Sequence, residues 1–547
     1  MTDSSTHRDA NWLPPIGLLL FLAAGGATAW FGGTLLGDPS ADFLVVAALV
    51  EAGLLLWAAR DHGLSRRQRA GFLGVLFAAP IIGLMFTDVG PIAALRDLFR
   101  PTQRNAPYTP PTPRAFDYQY PSSDIVPDLA KTTSRDWPEF RGAGRLGRAA
   151  SPFKLALDWK KFPPKLLWQH PVGGGVASFA IVGDFLVSHE QRGKDEVVAC
   201  YELRTGKQCW EHREEQYNYQ GWTGVGPQST PTIIHGMVLA LGAGGRLKYL
   251  DGSNGETRWQ VDLFEEHKAG SPRFGITASP LIVDDLVVAG IGGQKGSLVA
   301  YDRSSGRFRW ASGTAPASYS SPILATLARA PQIVWFRDGG LVGCDPKDGR
   351  ELWSVVWNEG YGNNVCQPLV FSSTGKGEPD AVLISAGDDA GAGAYVVERN
   401  GADLKARELW RNKNLKLKYS SAIQVRDMAV GLDEHILAAI DLKTGKRRWK
   451  HGDRFGYGQV VASGDQLIIQ AEDGRVVIGE ATDKEFVERG KFQSVLKQTW
   501  NSPALSSDVL ILRNNETLAA YKLPIDENET SARTTKQVSA PPPKSSD

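Results

Sequence analysis

The chain has 547 residues, with 61 basic against 60 acidic side chains, so no charge excess draws it to nucleic acid or another polyanion. Its 59 glycines and 16 tryptophans suit many short strands joined by tight turns, with large rings packed between sheets. The four cysteines, Cys200, Cys209, Cys344 and Cys366, contain no C-x-x-C pair, which excludes the common zinc and c-type haem patterns.

Residues 1–100 read as a membrane anchor. Apolar runs cover 12–36, 43–59 and 71–86, and about 20 apolar residues cross a bilayer. Between the second and third runs lies RDHGLSRRQR, with Arg60, Arg66, Arg67 and Arg69. The positive-inside rule places that loop and the N-terminus in the cytoplasm, so three crossings deliver everything after Phe86 to the periplasmic side of an inner membrane. Arg96, Arg100 and Arg104 pull the other way, but large domains translocate largely regardless of charge. Glu51, in the middle of the second run, is a candidate functional carboxyl, but with no intramembrane basic partner evident the expected reading is a protonated Glu bonded to a neighbouring helix beside Gly53. Residues 101–135 are rich in proline and predict a stiff, extended spacer that holds the globular part off the bilayer. The polar tail 525–547 predicts disorder.

Between spacer and tail the sequence repeats. Six segments share one pattern: ACYELRTGKQCW ending at Trp210, KYLDGSNGETRW at Trp259, VAYDRSSGRFRW at Trp310, VGCDPKDGRELW at Trp353, a stretched YVVERNGADLKARELW at Trp410, and AAIDLKTGKRRW at Trp449. Each reads as strand, turn, strand, with a turn glycine such as Gly206 or Gly445 and a closing tryptophan that fills the space between sheets. A second hairpin precedes each pattern, and two hairpins make a four-stranded blade. First strands start near Ser178, Thr230, Ser279, Ser321, Gln367, Ser421, Gln459 and Ser502, giving an all-β, eight-bladed β-propeller over residues 136–524. The seventh blade lacks the usual turn and tryptophan, and the eighth lacks a fourth strand. The spare strand KLLWQH, with Trp168, is expected to join the eighth blade and close the ring.

First strands line the central channel of a propeller, so the starting residues predict a ring of hydroxyls and amides. Two positions earlier stand Val176, Gln228, Thr277, Tyr319, Val365, Tyr419, Tyr457 and Trp500. Gln228, Tyr319, Tyr419, Tyr457 and Trp500 are the candidate ligand-binding rim, able to stack on a flat ligand or a peptide side chain. Carboxylates near that face fall in the loops between second and third strands: Glu190, Asp338, Asp388, Asp389, Asp433, Glu434, Glu472 and Asp473. Asn363 and Asn364 add amides. Cys200 and Cys209 flank a turn, where they are either a disulfide in an oxidising compartment or two small packed side chains.

The segment from Ala439 to Trp449 resembles the tryptophan-docking repeat of pyrroloquinoline-quinone (PQQ) propellers, and DWPEFRGAGRLG (136–147) resembles the lead-in of bacterial PQQ-like repeat domains. The resemblance implies two functional classes. Quinoprotein dehydrogenases hold PQQ and Ca²⁺ on the axis with an Asp base, whereas outer-membrane assembly propellers hold neither and bind proteins. This chain has no adjacent Cys-Cys pair, no C-x-x-C-H haem site and blades near minimum length. Membrane-bound glucose-dehydrogenase-type quinoproteins also combine spans with a propeller, although with more spans and longer blades. The assembly scaffolds are lipoproteins, and the first cysteine here is Cys200. The expectation is a membrane-anchored scaffold for a protein or peptide partner, without catalytic residues, metal or cofactor. The alternative is a dehydrogenase using PQQ and Ca²⁺ that feeds membrane quinone.

Overall fold

The structure is a computed structural model that describes residues 112–526, apart from 151–152, 220–223, 358–362, 376 and 402. The three expected spans and the tail beyond residue 526 lie outside these residues. Among the described residues no helix is long and apolar enough to cross a membrane.

Eight four-stranded antiparallel sheets follow one another along the chain. In each, the second and third strands are largely buried on both faces, as in Phe185–Arg192 and Val509–Arg513, because sheets pack on either side of them. The fourth, outermost strands are half exposed, as in Gln208–Glu215. Seven blades use consecutive strands. Blade 8 takes Ala504–Ser506, Val509–Arg513 and Thr517–Lys522, then borrows Lys165–Pro171 from ahead of blade 1. Trp168 stands opposite Ala520 and His170 opposite Leu518. Pairing the start of the domain with its end leaves no open sheet edge between blades 8 and 1.

The D-x-x-T-G turn builds the joint between blades. Asp441 accepts the Thr444 N–H at 2.8 Å, which folds the hairpin. The next turn residue, Gly445, sits at φ +66°, and a Cβ there would strike the Trp410 ring of the preceding blade. The turn therefore supplies a flat floor for a neighbouring indole. Each docked indole also donates Nε1–H to a carbonyl of the next blade: Trp168 to Leu203 (3.0 Å), Trp210 to Gly252 (2.8 Å), Trp259 to Arg303 (2.9 Å), Trp310 to Pro346 (3.2 Å), Trp410 to Leu442 (2.9 Å) and Trp449 to Thr482 (2.8 Å). Trp353 differs. Its neighbour, blade 5, replaces the short turn with the long hairpin Gly391–Asn400 and Asp403–Asn412, so the indole turns to Gln332 of its own blade at 2.5 Å. In blade 7, which has no docking tryptophan, Trp159 from the lead-in packs on Phe492 (5.5 Å), and Phe492 packs on Tyr521 of blade 8 (4.9 Å).

Residues 112–135 of the proline-rich stretch lie on the propeller and do not project from it. Ser122 bridges Gln208 in parallel, Ser123 N–H donates to Gln208 O (2.9 Å), and Gln208 N–H donates to Pro121 O (2.8 Å). Leu129 is buried, and Arg192 lies 4.4 Å from the centre of the Tyr120 ring. An extended chain that lacks donors at proline still offers carbonyls, and it can follow an outer strand.

Trp310→Ala removes a buried indole and its inter-blade hydrogen bond, and is expected to cost roughly 3–5 kcal/mol of unfolding free energy. Denaturant melts of the two proteins measure this. A loss below about 1 kcal/mol would show that the docked rings do not hold the blades together.

Candidate binding site at the channel mouth

The starting residues of the first strands form a belt of bonds from blade to blade. Ser178 N–H donates to Thr230 Oγ1 (2.9 Å), Thr230 N–H to Ser279 Oγ (3.0 Å), Ser279 N–H to Ser321 Oγ (2.9 Å) and Gln367 N–H to Ser421 Oγ (3.0 Å). The Gln367 amide, oriented by its partners, accepts from Ser321 N–H at 2.8 Å. Gln459 Nε2 donates to Tyr419 O (2.8 Å) and Trp500 O (3.2 Å), and Ser178 Oγ donates to Ser502 O (2.6 Å), which completes the circuit. Buried N–H groups need partners. The hydroxyl and amide column serves that need first.

The other end of the channel is filled by the lead-in. Gly183 N–H donates to Asp136 (3.0 Å), Ser507 N–H to Arg135 O (3.2 Å) and Arg148 to Gly464 O (2.8 Å), which ties the segment across the hairpins joining first and second strands. From there two arginines reach inward. Arg145 donates to the carbonyls of Ser279, Pro280 and Pro322 at 3.0, 2.6 and 2.9 Å, and Arg141 donates to Ala422 O at 2.9 Å. Both are almost fully buried, and burial lowers the Arg141 guanidinium to about 10. Gly147, at φ +71°, leaves the space through which the Arg141 guanidinium passes. The F-R-G-A-G-R run is thus a plug whose arginines satisfy carbonyls around the axis.

Two patches form the opposite mouth. Tyr419 and Tyr457 meet edge to face at 4.8 Å, and Tyr457 and Trp500 at 6.5 Å, so three successive blades carry a run of rings. His435 lies 4.5 Å from Tyr457. Lys418 Nζ stands 5.7 and 5.8 Å from the Tyr419 and Tyr457 ring centres and 2.5 Å from Asp388 Oδ1. Burial opposes its charge, but the Asp388 carboxylate holds the ammonium above its ordinary value. Glu472 accepts from Trp500 Nε1 (2.8 Å) and Tyr457 N–H (3.0 Å); these bonds overcome burial and keep its carboxyl below the ordinary range. Across the mouth, Tyr319 packs on Phe274 at 5.7 Å, and Gln228 donates to the Phe274 carbonyl. A pocket of about 600 Å³ opens near Glu472, lined also by Arg454, Phe455, Leu496 and Lys497. Lys418, Glu472 and His435 complete the aromatic run. Of these, sequence reasoning singled out Glu472, and only as a loop carboxylate. Lys418 was identifiable by standing beside Tyr419 in the repeat register; Phe274 lies in an irregular loop and gave no periodic signal.

Of the other carboxylates expected in loops, Glu190 and Asp433 lie instead within second strands, Phe185–Arg192 and Met428–Asp433, and most of the set is committed to partners. Glu190 is fully buried and accepts from Arg192 (2.8 Å) and Tyr201 (3.0 Å). Asp389 pairs with Lys413, Asp433 with Lys450 (2.6 Å) and Asp473 with Arg475 (2.7 Å). Asn364 donates to Arg337 O at 2.7 Å. A Ca²⁺–quinone centre needs several oxygen ligands with a carboxylate among them, plus a carboxylate base. The belt carries no carboxylate, and the buried oxygens left without a partner beside it, Ser229 Oγ, Asn364 Oδ1, Gln470 Oε1 and Ser502 Oγ, are neutral. The belt by itself does not supply that donor set.

The family model described as outer membrane protein assembly factor BamB matches residues 149–328 and 194–451, which together span more than half of the chain. The chain belongs to this family of PQQ-like propellers. A curated relative, the quinohemoprotein alcohol dehydrogenase ADH-IIG of Pseudomonas putida, is 26% identical over 229 residues. The match covers 40% of this chain and 30% of that protein. The crystal structure of quinohemoprotein alcohol dehydrogenase from Comamonas testosteroni aligns with a TM-score of 0.54 at 14% identity, over 73% of this chain and 82% of that one. BamB from Moraxella catarrhalis aligns with a TM-score of 0.46 at 16% identity, over 66% of this chain and 97% of that one. At such identities the likeness to the solved structures is one of fold.

A buried charge cluster between blades 1 and 2 gives the domain an acid limit. Glu196 contacts His189 (3.1 Å) and Lys248 (3.5 Å) and accepts from Ala243 N–H (3.0 Å). Burial alone would raise its carboxyl, but His189 and Lys248 bring it down from 4.5 to about 2. The unfolded state then takes up the proton at a higher pH than the native state, so stability is lost as pH falls from 4.5 towards about 2. Denaturant midpoints recorded across this window should drop less steeply for Glu196→Gln than for the parent chain.

Proposed function

We propose that this protein is a membrane-anchored, extracytoplasmic scaffold whose propeller mouth takes a protein or peptide segment and catalyses nothing. One observation carries the reading: the channel is filled from one side by Arg141 and Arg145, while the other side presents Tyr419, Tyr457 and Trp500 as a run of rings with Lys418 beside it. Rigid aromatic side chains with a neighbouring cation are the usual anchors of a protein interface, because they bury large area at little entropic cost. The Trp500 ring held by Glu472 and the Lys418 ammonium held by Asp388 are already oriented before a partner arrives. Membership of a family described by an assembly factor favours the same reading. No quinone or calcium ion takes part in it. The apolar runs at 12–36, 43–59 and 71–86 would tether the propeller to the inner membrane, with the propeller on the periplasmic side.

A photo-crosslinking residue placed at Tyr419 in the full-length protein should capture a discrete protein partner in cells. The same residue at Asp184, on the plugged face, should not. Trp500→Ala should weaken that partner's binding by roughly tenfold or more. PQQ with Ca²⁺ is expected to leave the melting temperature unchanged. A raised melting temperature with quinone absorbance on the purified protein would overturn the scaffold reading in favour of a dehydrogenase. In cells whose outer membrane alone is permeabilised, added protease should cut within residues 101–111; protection there would reverse the proposed orientation.

A further inference from the structure

The outer hairpin of each repeat contains a β-bulge next to its tryptophan. In blade 1 Cys200 pairs with Trp210 and Tyr201 with Gln208, so Cys209 is the extra residue. Strand alternation by itself would put residues 209 and 210 on opposite faces, whereas a bulge sets two residues of one strand against one of its partner. Cys209 accordingly packs with Cys200 and Trp210 in the apolar layer between blades 1 and 2. The corresponding positions across the bulge in blades 2 to 6 are Tyr249 and Arg258, Ala300 and Arg309, Gly343 and Leu352, Ala394 and Leu409, and Ala439 and Arg448. Blade 1 alone among these places two sulfurs there.

We propose that Cys200 and Cys209 form a reversible disulfide, a covalent clasp across the bulge of blade 1. Both are free thiols in this structure, and the two thiols interact across the strand pair. Their environments divide the labour. Cys209 is half buried, and hydrogen bonds to Cys200 and Ser123 hold its thiol below the ordinary value against the effect of burial. Cys200 is fully buried, and burial pushes its thiol well above. Cys209 is therefore the attacking sulfur. Its thiolate attacks one sulfur of an external disulfide, such as oxidised glutathione, and expels a thiolate. Cys200 then loses its proton and displaces the second thiolate. Two S–H bonds give way to one S–S bond, two protons leave, and the external disulfide gains the two electrons. The clasp lies beside Gln208, whose backbone holds Pro121 and Ser123 of the proline-rich strap, so oxidation would pin the bulge on which that strap rests. Cys344 and Cys366 are each buried in different apolar layers.

The full-length protein is equilibrated with graded ratios of reduced to oxidised glutathione, unfolded in the presence of an alkylating reagent, and weighed. At the oxidising end two of the four thiols should resist alkylation, and peptide mapping should join residue 200 to residue 209. At the reducing end all four should react. Cys209→Ser should leave its three remaining thiols alkylatable at every ratio. Protein synthesised under oxidising conditions should show the same link, which removes slow access to a buried pair as a reason for its absence. Four reactive thiols in both preparations, a glutathione adduct at Cys209 with Cys200 still free, or a link to Cys344 or Cys366 would each overturn the proposal.

Discussion

A buried strand that starts beside the axis of a ring must find a partner for its first N–H, and there is no strand on its inner side to provide one. Here the partner is the next blade. The bonds from Ser178 to Thr230, Thr230 to Ser279 and Ser279 to Ser321, with their amide counterparts at Gln367 and Gln459, repeat this solution around the axis. At five joints a side-chain oxygen of one blade accepts the N–H of its neighbour, and at the other three Gln459 and Ser178 donate to neighbouring carbonyls, so no blade completes its hydrogen bonding alone. Small hydroxyl residues suit the position because they approach a neighbouring backbone without filling the channel.

That constraint also separates the two ends of the channel. Carbonyls left beside the belt, at Ser279, Pro280, Pro322 and Ala422, are met by arginines from the lead-in, and the lead-in is itself held by the hairpin turns at its own end. Five-donor guanidinium groups can serve several carbonyls at once, which a lysine ammonium does less well. With the lead-in at one end, the rings at the other end are the part of the axis to which the proposed recognition is assigned.

Much of the architecture was legible because each blade repeats a local chemical instruction. Asp441, Thr444 and Gly445 make a turn by short-range bonds, and Trp449 follows at a fixed distance, so the pattern can be read wherever it recurs. The rim was legible in part. Tyr419, Tyr457 and Trp500 come together, while Gln228 and Tyr319 gather around Phe274 as a second patch. The role of the starting column was less visible, since a serine that caps a neighbour looks the same in sequence as one that awaits a ligand. Trp353 shows the limit of the repeat: its own segment fits the pattern, and its contact changes because the next blade does not.

The sequence by itself determined the number of blades, the closing role of Lys165–Pro171 and the docking positions of the tryptophans, because these depend on patterns a few residues long that recur at regular spacing. Only the tertiary structure decided that Arg141 and Arg145 plug the axis, that Trp159 takes the place of a missing docking ring, that residues 112–135 lie against blades 8, 1 and 2, and that the bulge brings Cys209 to the face of Cys200. The first three join residues tens to hundreds of positions apart, and the last depends on one extra residue in a strand. Neither leaves a period in the sequence, since each contact is specified by where the folded blades bring backbone and side chains together.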